Sequence, residues 1–541
     1  MNQREGQGLY PKRAPMIKAF SLSQLPVGHM HQVSVGDYDV LLANVAGTVY
    51  AVENKCSHYG FALSKGAMCE HRVRCPLHHA CFDLRTGEQL EAPGMDGLPT
   101  FDVRVEGDDI YVSPEPVRLN RPDVGNHPVD LPIPQDRHYD YALVGGGAAS
   151  AYAVEAIRAH DATGSILMVS KEILPPYDRT KVSKNFMQES MASDQLPLRS
   201  AAFYRQLGVD FRAGTQVEAV DLTNKQLTLS DEKGTYTYDK ILLATGGTPR
   251  TLDDVPGVDL PGVHTVRKAK DGRLAREETT AGANVVIVGG SFIGLETAMS
   301  LGKRGGKVTV VTPEEILFEK VFGERVGRYV QQLHEEAGVT FKLGRRTQAI
   351  SGEERVTGVL LDDGSSLPAD VVIVGIGVTP ATDYIRGVAY QEDHSLAVDG
   401  HLRVHAEHAY AAGDIATYPD REGMVRIEHW KVAGQQGRVA GRNMAGEAQP
   451  YQMLPYFWTN QQGINFRYVG HGTDFDRIEF DGTPGEDPFL AFYVKDQHVQ
   501  ACLGVKRDAD AAAVNELMAL GKMPAVDRLR GQDWQQLCRE V

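Results

Sequence analysis

The chain has 541 residues, 42% of them hydrophobic, with six cysteines and a net charge of -15. A chain of this length is too long for a single hydrophobic core. The negative net charge argues against non-specific nucleic acid binding, because phosphate contacts need a basic face. Residues 1–16 form a polar tail without the apolar segment of a secretory signal, and no apolar run is long enough to span a membrane. Together with the scattered cysteines, these features predict a cytoplasmic protein of several domains.

Residues 17–113 contain short alternating strands separated by Gly and Pro turns, which predicts an all-β domain. Two mixed ligand pairs lie within it: Cys56 and His58, then, after sixteen residues, Cys75 and His78. Two thiolates and two imidazoles are the ligands of a Rieske [2Fe–2S] cluster. A Cys2His2 zinc site is the alternative, but zinc sites usually pair like ligands in close spacing, so the mixed pairs favour the cluster.

This domain resembles the Rieske ferredoxin family, including the hairpin that follows the second ligand pair. Ala80 and Phe82 stand where respiratory Rieske proteins place a Ser and a Tyr near the cluster sulfurs. Because hydrogen bonds to the sulfurs help set the potential, the resemblance implies a potential toward the low end of the Rieske range.

A Pro-rich stretch at 114–137 predicts a linker, after which the pattern becomes α/β. A buried strand leads into Gly145, Gly147 and Ser150, then a helix, then a second strand that ends before Glu172. This is a dinucleotide fingerprint, in which glycines admit the pyrophosphate, a helix N-terminus attracts it and an acid binds the ribose.

A second such unit follows, with Gly289, Ser291 and Gly294 after a strand and Glu314 after the next strand. Two fingerprints predict two nucleotide sites. An acid at the ribose favours NADH and disfavours the 2′-phosphate of NADPH, although Glu314 is displaced by two residues from the usual position.

Several further motifs occur in the order found in FAD-dependent ferredoxin reductases: Pro176 to Lys184, Ala244-Thr245-Gly246, Gly294-Leu295-Glu296, Ala412-Gly413-Asp414 and Glu428-His429-Trp430. The whole chain resembles the apoptosis-inducing-factor-like branch that carries an N-terminal Rieske domain. The resemblance implies a multidomain fold: an all-β Rieske domain, two α/β Rossmann-like domains for FAD (138–255 and 380–450) and NAD (256–379), and a C-terminal α+β domain (451–541).

The resemblance also assigns residues. It implies that Lys184 pairs with Glu296 beside the flavin and that Trp430 starts a helix whose dipole faces the flavin, so these three are the candidate catalytic groups. The implied FAD contacts are Gly145, Gly147, Ser150, Glu172, Arg179, Lys184, Thr245, Gly246, Asp414, Glu428, Trp430 and Trp458.

The expected activity is transfer of electrons from NADH through FAD to the fused cluster and on to an external protein, such as a Rieske-type oxygenase or a cytochrome P450. There is no Cys-x4-Cys after the FAD helix, which argues against disulfide chemistry. The oligomeric state is open, with a homodimer as one arrangement.

Two other functions compete with this one. A terminal oxygenase would need a 2-His-1-carboxylate iron site, for which the candidates are Asp399, His401, His405 and His408; their position before Asp414 favours a structural role. A redox sensor would instead form a stable charge-transfer complex with NADH.

Overall fold

The computed structural model describes residues 15–120, 131–230, 234–404, 407–421, 423–472 and 474–541. Most of the predicted tail, residues 121–130 of the predicted linker and His405 therefore lie outside the described residues. The chain divides into two compact units: Met1–Pro122 with Asp508–Lys522 and Asp533–Val541, and Asp123–Arg507 with Met523–Gln532.

The N-terminal part of the first unit is all β, as predicted. Its sheets have the orders β1-β10-β9, β2-β3-β4 and β5-β6-β7-β8. The strands are β1 Ile17–Ser21, β2 Met30–Val35, β3 Tyr38–Val45, β4 Thr48–Glu53, β5 Ala67–Cys69, β6 Arg72–Arg74, β7 Cys81–Asp83, β8 Gln89–Glu91, β9 Val103–Glu106 and β10 Asp109–Val112.

Strand β3 separates two hydrophobic cores. Because side chains alternate along a strand, Leu41 and Ala43 face one core, which includes the ligand cysteines, whereas Val40 and Leu42 face the other. The ligand-bearing loops, between β4 and β5 and between β6 and β7, are therefore anchored on a packed core.

The first part of the second unit is a mainly parallel sheet in the order β13-β12-β11-β16-β15-β14, extended by strands that come later in the chain. Its elements are β11 His138–Val144, α1 Ala148–His160, β12 Ile166–Ser170, α2 Ala201–Gln206, β13 Val209–Ala213, β14 Val217–Asp221, β15 Gln226–Leu229, β16 Thr235–Leu243 and β17 Gly247–Pro249. Every residue of β12 is buried, as expected of a strand covered on both faces.

The next part contains a parallel sheet in the order β18-β25-β19-β20-β21 and a meander of β22-β23-β24. Its elements are β18 Val263–Thr265, α3 Ala269–Glu278, β19 Asn284–Val288, α4 Phe292–Lys303, β20 Lys307–Thr312, α5 Glu319–Phe322, α6 Glu324–Glu336, β21 Thr340–Leu343, β22 Thr347–Gly352, β23 Val356–Leu361, β24 Ser366–Pro368 and β25 Val371–Val374.

The chain then returns to the first sheet, where β27 pairs with β14 and β29 pairs with β16. The returning elements are β26 Val378–Pro380, β27 Ile385–Arg386, β28 Leu396–Ala397, β29 Ala409–Ala411, β30 Ala416–Asp420, β31 Gly423–Val425 and α7 Trp430–Met444. Helix α7 packs closely on α1: a Cβ on Gly437 would lie 2.0 Å from the carbonyl oxygen of Ala149. This close approach brings the N-terminus of α7 beside the first glycine-rich turn.

The last sheet of the second unit is antiparallel, in the order β32-β33-β36-β35-β34. Its strands are β32 Tyr456–Gln461, β33 Ile464–Gly470, β34 Arg477–Asp481, β35 Phe489–Lys495 and β36 His498–Val505. Together with the preceding domains, this architecture matches the predicted fold class.

The two C-terminal helices, α8 Asp508–Ala519 and α9 Trp534–Glu540, belong to the first unit. Both contact β5, and the Cys538 thiol donates to the carbonyl oxygen of Ala513 at 3.5 Å. A hydrogen bond with Cys69 of β5, together with burial, raises the pKa of Cys538. The compact unit that holds the ligand loops thus ends in two helices that the predicted boundaries, 17–113 and 451–541, assign to another domain.

Among the described residues, no helix combines the length and the hydrophobicity that crossing a membrane would require.

Candidate redox site

The two ligand loops contain the same type of backbone turn. In the first loop, the amide of Gly60 donates to the carbonyl oxygen of Cys56 at 2.8 Å, and in the second the amide of His79 donates to that of Cys75 at 3.0 Å. Each turn spans five residues and places a cysteine at its start. The two loops therefore hold their ligand cysteines in the same local backbone arrangement.

The four predicted ligands converge. The Nδ1 atoms of His58 and His78 lie 3.1 Å apart, and two nitrogens bonded to one metal ion at about 2.1 Å would lie roughly 3 Å apart. Cys56 and Cys75 are buried and within hydrogen-bond reach of each other, and this contact and burial raise the pKa of Cys56. One nitrogen pair and one sulfur pair fit the two irons of a [2Fe–2S] cluster.

An aromatic side chain that the sequence did not single out lies against this site. The ring of Tyr59 stacks on that of His58, with centroids 3.8 Å apart, and meets the ring of His78 edge-on at 5.3 Å. Tyr59 is 48% exposed. Its position after a ligand histidine is the only sequence signal that would have drawn attention to it.

A cavity of about 990 Å³ in the second unit contains most of the predicted FAD contacts, and its volume suits a large cofactor. Gly145, Gly147, Thr245 and Gly246 line it. A Cβ on Gly145 would lie 2.2 Å from the carbonyl oxygen of Ala244, whereas a Cβ on Gly147 would meet nothing within 4 Å. The first glycine thus permits the tight turn, and the second leaves open space for a phosphate group.

Ser150 does not line the cavity. It is fully buried in α1, two residues beyond the start of the helix. The structure therefore places this predicted contact within the packing of the helix and not at the cavity wall.

Glu172 lines the cavity and is held in place by two neighbours. It accepts a hydrogen bond from Nη2 of Arg179 at 2.7 Å and another from the hydroxyl of Tyr177 at 2.7 Å. Burial raises the pKa of Tyr177, so its hydroxyl remains a donor at neutral pH. A carboxylate oriented in this way can accept from a ribose diol.

Two more acidic residues of the cavity are paired with arginines. Asp414 accepts from Nη2 of Arg267 at 2.6 Å, and Glu428 accepts from Nη1 of Arg426 at 2.6 Å. Neither arginine was predicted from the sequence, since each lies in a stretch without a recognisable motif. Asp414 is the more buried of the two acids, and its partner Arg267 also lines the cavity.

Helix α7 points its N-terminus into the cavity. Trp430 is its first residue, His429 is its N-cap, and both line the cavity with Trp458 of β32. Burial lowers the pKa of His429 to about 3, so the imidazole is neutral at physiological pH. The helix dipole therefore contributes positive partial charge here, without a protonated histidine beside it.

The predicted ion pair is present. Nζ of Lys184 donates to Oε2 of Glu296 at 2.5 Å, and the Glu296 side chain is only 3% exposed. Oε2 also accepts from the hydroxyl of Ser183 at 2.7 Å. Both members of the pair line the cavity, and their action on the flavin stays a prediction.

A chain of hydrogen bonds supports Glu296 from behind. Its Oε1 accepts from the hydroxyl of Thr459 at 2.7 Å, and that hydroxyl accepts from Nε2 of Gln461 at 2.7 Å. Oε1 of Gln461 lies 2.8 Å from Nε2 of the fully buried His334, whose Nδ1 accepts from Gln462. Burial lowers the pKa of His334, so the neutral ring donates through Nε2 and the whole chain directs donors toward the carboxylate.

The strand, turn and helix of the second fingerprint are present, and of its four predicted nucleotide contacts Ser291 is the one that lines the cavity. Ser291 caps α4, accepting from the amide of Gly294 at 3.1 Å, and lines the cavity. A Cβ on Gly289 would lie 2.4 Å from the carbonyl oxygen of Gly375. Glu314 follows β20 and accepts from the hydroxyl of Thr312, so its contact with a nicotinamide nucleotide stays a prediction.

The alternative iron site has other bonds. Oδ1 of Asp399 accepts from the amides of His401 and Arg403, and Nε2 of His408 lies 2.9 Å from the carbonyl oxygen of Leu222. Within the described ranges, no group of three or more His, Cys, Asp or Glu side chains is placed to hold one metal ion.

Comparison with known proteins agrees with this geometry. The family model for pyridine nucleotide-disulphide oxidoreductases matches residues 139–437, which is more than half of the chain. The chain belongs to the pyridine nucleotide-disulphide oxidoreductase family. The models for the Rieske [2Fe-2S] domain and for the reductase C-terminal domain match residues 16–102 and 456–535.

Individual relatives support the narrower resemblance. Apoptosis-inducing factor 3 of Homo sapiens is 34% identical over 95% of this chain and 86% of its own length. The ferredoxin–NAD(+) reductase component of the anthranilate 1,2-dioxygenase system of Burkholderia cepacia is 32% identical over 72% of this chain and 96% of its own length. The crystal structure of the covalent putidaredoxin reductase–putidaredoxin complex has a TM-score of 0.70 at 28% identity, covering 74% of this chain and 98% of that one.

These matches confirm the predicted family, fold class and cofactors. The protein is an oxidoreductase of the ferredoxin reductase type, with FAD, NAD(H) and a Rieske [2Fe-2S] cluster as its cofactors. The individual ligands and the domain boundaries stay predictions.

Proposed function

We propose that this oxidoreductase takes electrons from NADH and delivers them, through FAD and its own Rieske cluster, to an external electron-accepting protein. The observation that carries the proposal is the presence in one chain of two converging His and Cys pairs and a cavity lined by the first fingerprint. FAD, when bound, supplies the exchange between a two-electron hydride donor and a one-electron carrier. None of the six cysteines falls within 139–437, so the chain has no cysteine pair there for disulfide reduction.

The residues of the cavity have distinct tasks in this proposal. Glu172 binds the ribose, and the pair of Lys184 and Glu296 fixes a cation at the reacting end of the cavity. The N-terminus of α7, at Trp430, stabilises negative charge. The first two tasks require charges held in one position. The hydrogen bonds from Arg179 to Glu172 and from Lys184 to Glu296 hold these carboxylates in place.

The external acceptor is proposed to be a Rieske-type oxygenase, a cytochrome P450 or a similar metalloenzyme. This rests on the relatives, since one is the reductase component of a dioxygenase system and a solved neighbour is a reductase in complex with putidaredoxin. The low cluster potential implied by Ala80 and Phe82 is in keeping with such acceptors. A cytoplasmic location and a homodimer also stay predictions.

Anaerobic titration with NADH tests the electron route. We expect the flavin absorbance to bleach and the paramagnetic signal of the reduced cluster to rise during the same titration. Bleached flavin beside a cluster that stays oxidised would contradict internal transfer.

The Cys75→Ser variant tests the ligand assignment. We expect it to lose the cluster but to retain flavin and NADH-dependent reduction of ferricyanide, because the flavin cavity is lined by residues of the other unit. Cys502→Ala, which changes a buried cysteine of β36, is the matched control and keeps both cofactors. Loss of flavin in the Cys75 variant alone would count against the modular function.

A sensing role is the second candidate, because the relative that aligns over 95% of the chain is named an apoptosis-inducing factor. Slow reoxidation of the NADH-reduced protein by every protein acceptor tested would favour it. Fast reoxidation by a metalloenzyme favours electron transfer.

A further inference from the structure

The second ligand loop is fixed at both ends by fully buried side chains. Arg74 directly precedes Cys75, and His79 directly follows His78; neither Arg74 nor His79 is exposed to solvent. Nη1 of Arg74 donates to the carbonyl oxygen of His79 at 2.9 Å, which closes the base of the loop. The loop that carries two of the four ligands therefore depends on these two residues for its shape.

Both of these residues are bonded to helix α8. Nε of Arg74 donates to Oε1 of Glu516 at 2.6 Å, and Nδ2 of Asn515 donates to Nδ1 of His79 at 3.0 Å. Because an amide nitrogen can only donate, Nδ1 of His79 is the acceptor in this bond. Asn515 and Glu516 are themselves 1% and 0% exposed, so water does not replace either contact.

Arg74 belongs to a cluster of four charged side chains, two arginines and two glutamates. Glu91 accepts from Nη1 of Arg74 at 2.6 Å, and Arg72 pairs with both Glu91, at 2.7 Å, and Glu516, at 2.9 Å. Two buried or half-buried cations thus share two buried carboxylates. Without Glu516, one of the two cations would lack full compensation in a place where an unpaired charge is costly.

We propose that Asn515 and Glu516 are positioning residues of the iron–sulfur centre, holding the loop from Cys75 to His78 in its ligating shape through His79 and Arg74. This inference rests on the proposed function, since it requires that the loop binds the cluster. In this inference, a C-terminal helix supports the domain that binds the cluster. Asn515 lies 436 residues after His79, and Glu516 lies 442 residues after Arg74.

A purely structural role for these residues predicts something different. Substitutions would then lower the stability of the unit but leave the signature of any bound cluster unchanged. A positioning role predicts a changed signature, because the orientation of His78 relative to His58 would relax while the cluster is still bound.

The test uses the full-length protein with two single variants, Asn515→Leu and Glu516→Gln. Asn515→Leu removes one donor and keeps a similar volume, and Glu516→Gln removes one charge in the same shape. Leu517→Met is the matched control: it changes a buried apolar residue of the same helix, with little change in volume. Flavin content and NADH–ferricyanide activity report that the second unit is folded, and the iron content of each variant reports that the first unit still binds the cluster.

We expect both variants to keep flavin and ferricyanide activity, to show shifted electron paramagnetic resonance g-values and a shifted midpoint potential of the cluster, and to lose the cluster about tenfold faster on mild heating. Leu517→Met should match the unmodified protein in all three measurements. If Glu516→Gln fails to accumulate, Asn515→Leu alone decides, since it breaks a single neutral hydrogen bond.

Two results would overturn the inference in distinguishable ways. Unmodified protein without iron and acid-labile sulfide would refute the proposed function and this inference with it. Unmodified protein with a cluster, beside variants whose g-values and potential equal those of Leu517→Met, would refute only the positioning role, even if those variants lose the cluster faster.

Discussion

Replacement of Thr459 by Val isolates the hydrogen-bond chain behind Glu296, because Val fills the same volume without a hydroxyl. The change removes one bond to a carboxylate, worth about 1.5–3 kcal/mol, and leaves the buried amide of Gln461 without its acceptor, which costs about 1–3 kcal/mol. Thr459 and Gln461 are 1% and 0% exposed, so water does not compensate. The combined loss is about 2.5–6 kcal/mol of unfolding free energy.

Thr459→Ser is the control, since it keeps both hydrogen bonds and loses only a methyl group, at a cost of about 1 kcal/mol. The assay is urea unfolding followed by flavin release, compared between the two variants because a protein of several domains has no single unfolding free energy. We expect a clearly lower midpoint for the Val variant. In single-turnover reduction by NADH, we also expect an approximately tenfold slower hydride transfer for Val and little change for Ser, because Glu296 would no longer hold Lys184 in one orientation. Equal midpoints and equal rates would refute the role of the chain.

Three further predictions concern the two nucleotide sites. Glu314→Gln should lower the preference for NADH over NADPH about tenfold in kcat/KM, with Glu315→Gln as the unaffected control; an unchanged ratio would exclude Glu314 from the ribose site. His429 has a pKa of about 3 in the folded protein, below its ordinary value of 6.5, so folding disfavours protonation of this imidazole. Its contribution to stability is complete above pH 6.5 and is lost as the pH falls toward 3, because the unfolded chain then binds a proton that the folded protein does not. We therefore expect the flavin-release temperature of His429→Asn to fall less steeply with acid, and parallel curves would contradict this. Arg267→Met should weaken flavin retention on gel filtration about tenfold, because it leaves Asp414 without its cation, whereas Arg267→Lys retains most flavin; equal retention would show that the pair does not support the site.

The parts of the fold that the sequence predicts well are those specified by local patterns. The mixed pairs of Cys56 with His58 and of Cys75 with His78 are short spacings that only a few sites use, and the structure brings their side chains together. The glycine turns are equally local, because a strand, a tight turn and a helix follow one another in the chain. The pair of Lys184 and Glu296, 112 residues apart, was accessible only through the family resemblance.

The parts that the sequence did not predict depend on partners distant in the chain. Thr459 and Arg267 are ordinary residues in segments without a motif, and their importance comes from the carboxylates that they meet in the folded protein. Glu516 would be read as a solvent-exposed acid on a helix, as most glutamates are, yet it is fully buried against Arg74. Ser150 is fully buried and is not among the residues that line the cavity, so its contact with FAD stays a prediction.

The membership of α8 and α9 in the first unit has a consequence for gene shuffling. A fragment cut within the Pro-rich stretch would encode the strands and all four ligands but not Asn515 or Glu516, so Arg74 and Arg72 would share Glu91 as their one remaining carboxylate partner of this cluster. A graft that moves this ferredoxin-like module to another reductase would therefore have to carry the C-terminal helices with it. Recombination at the linker alone would transfer an incomplete module.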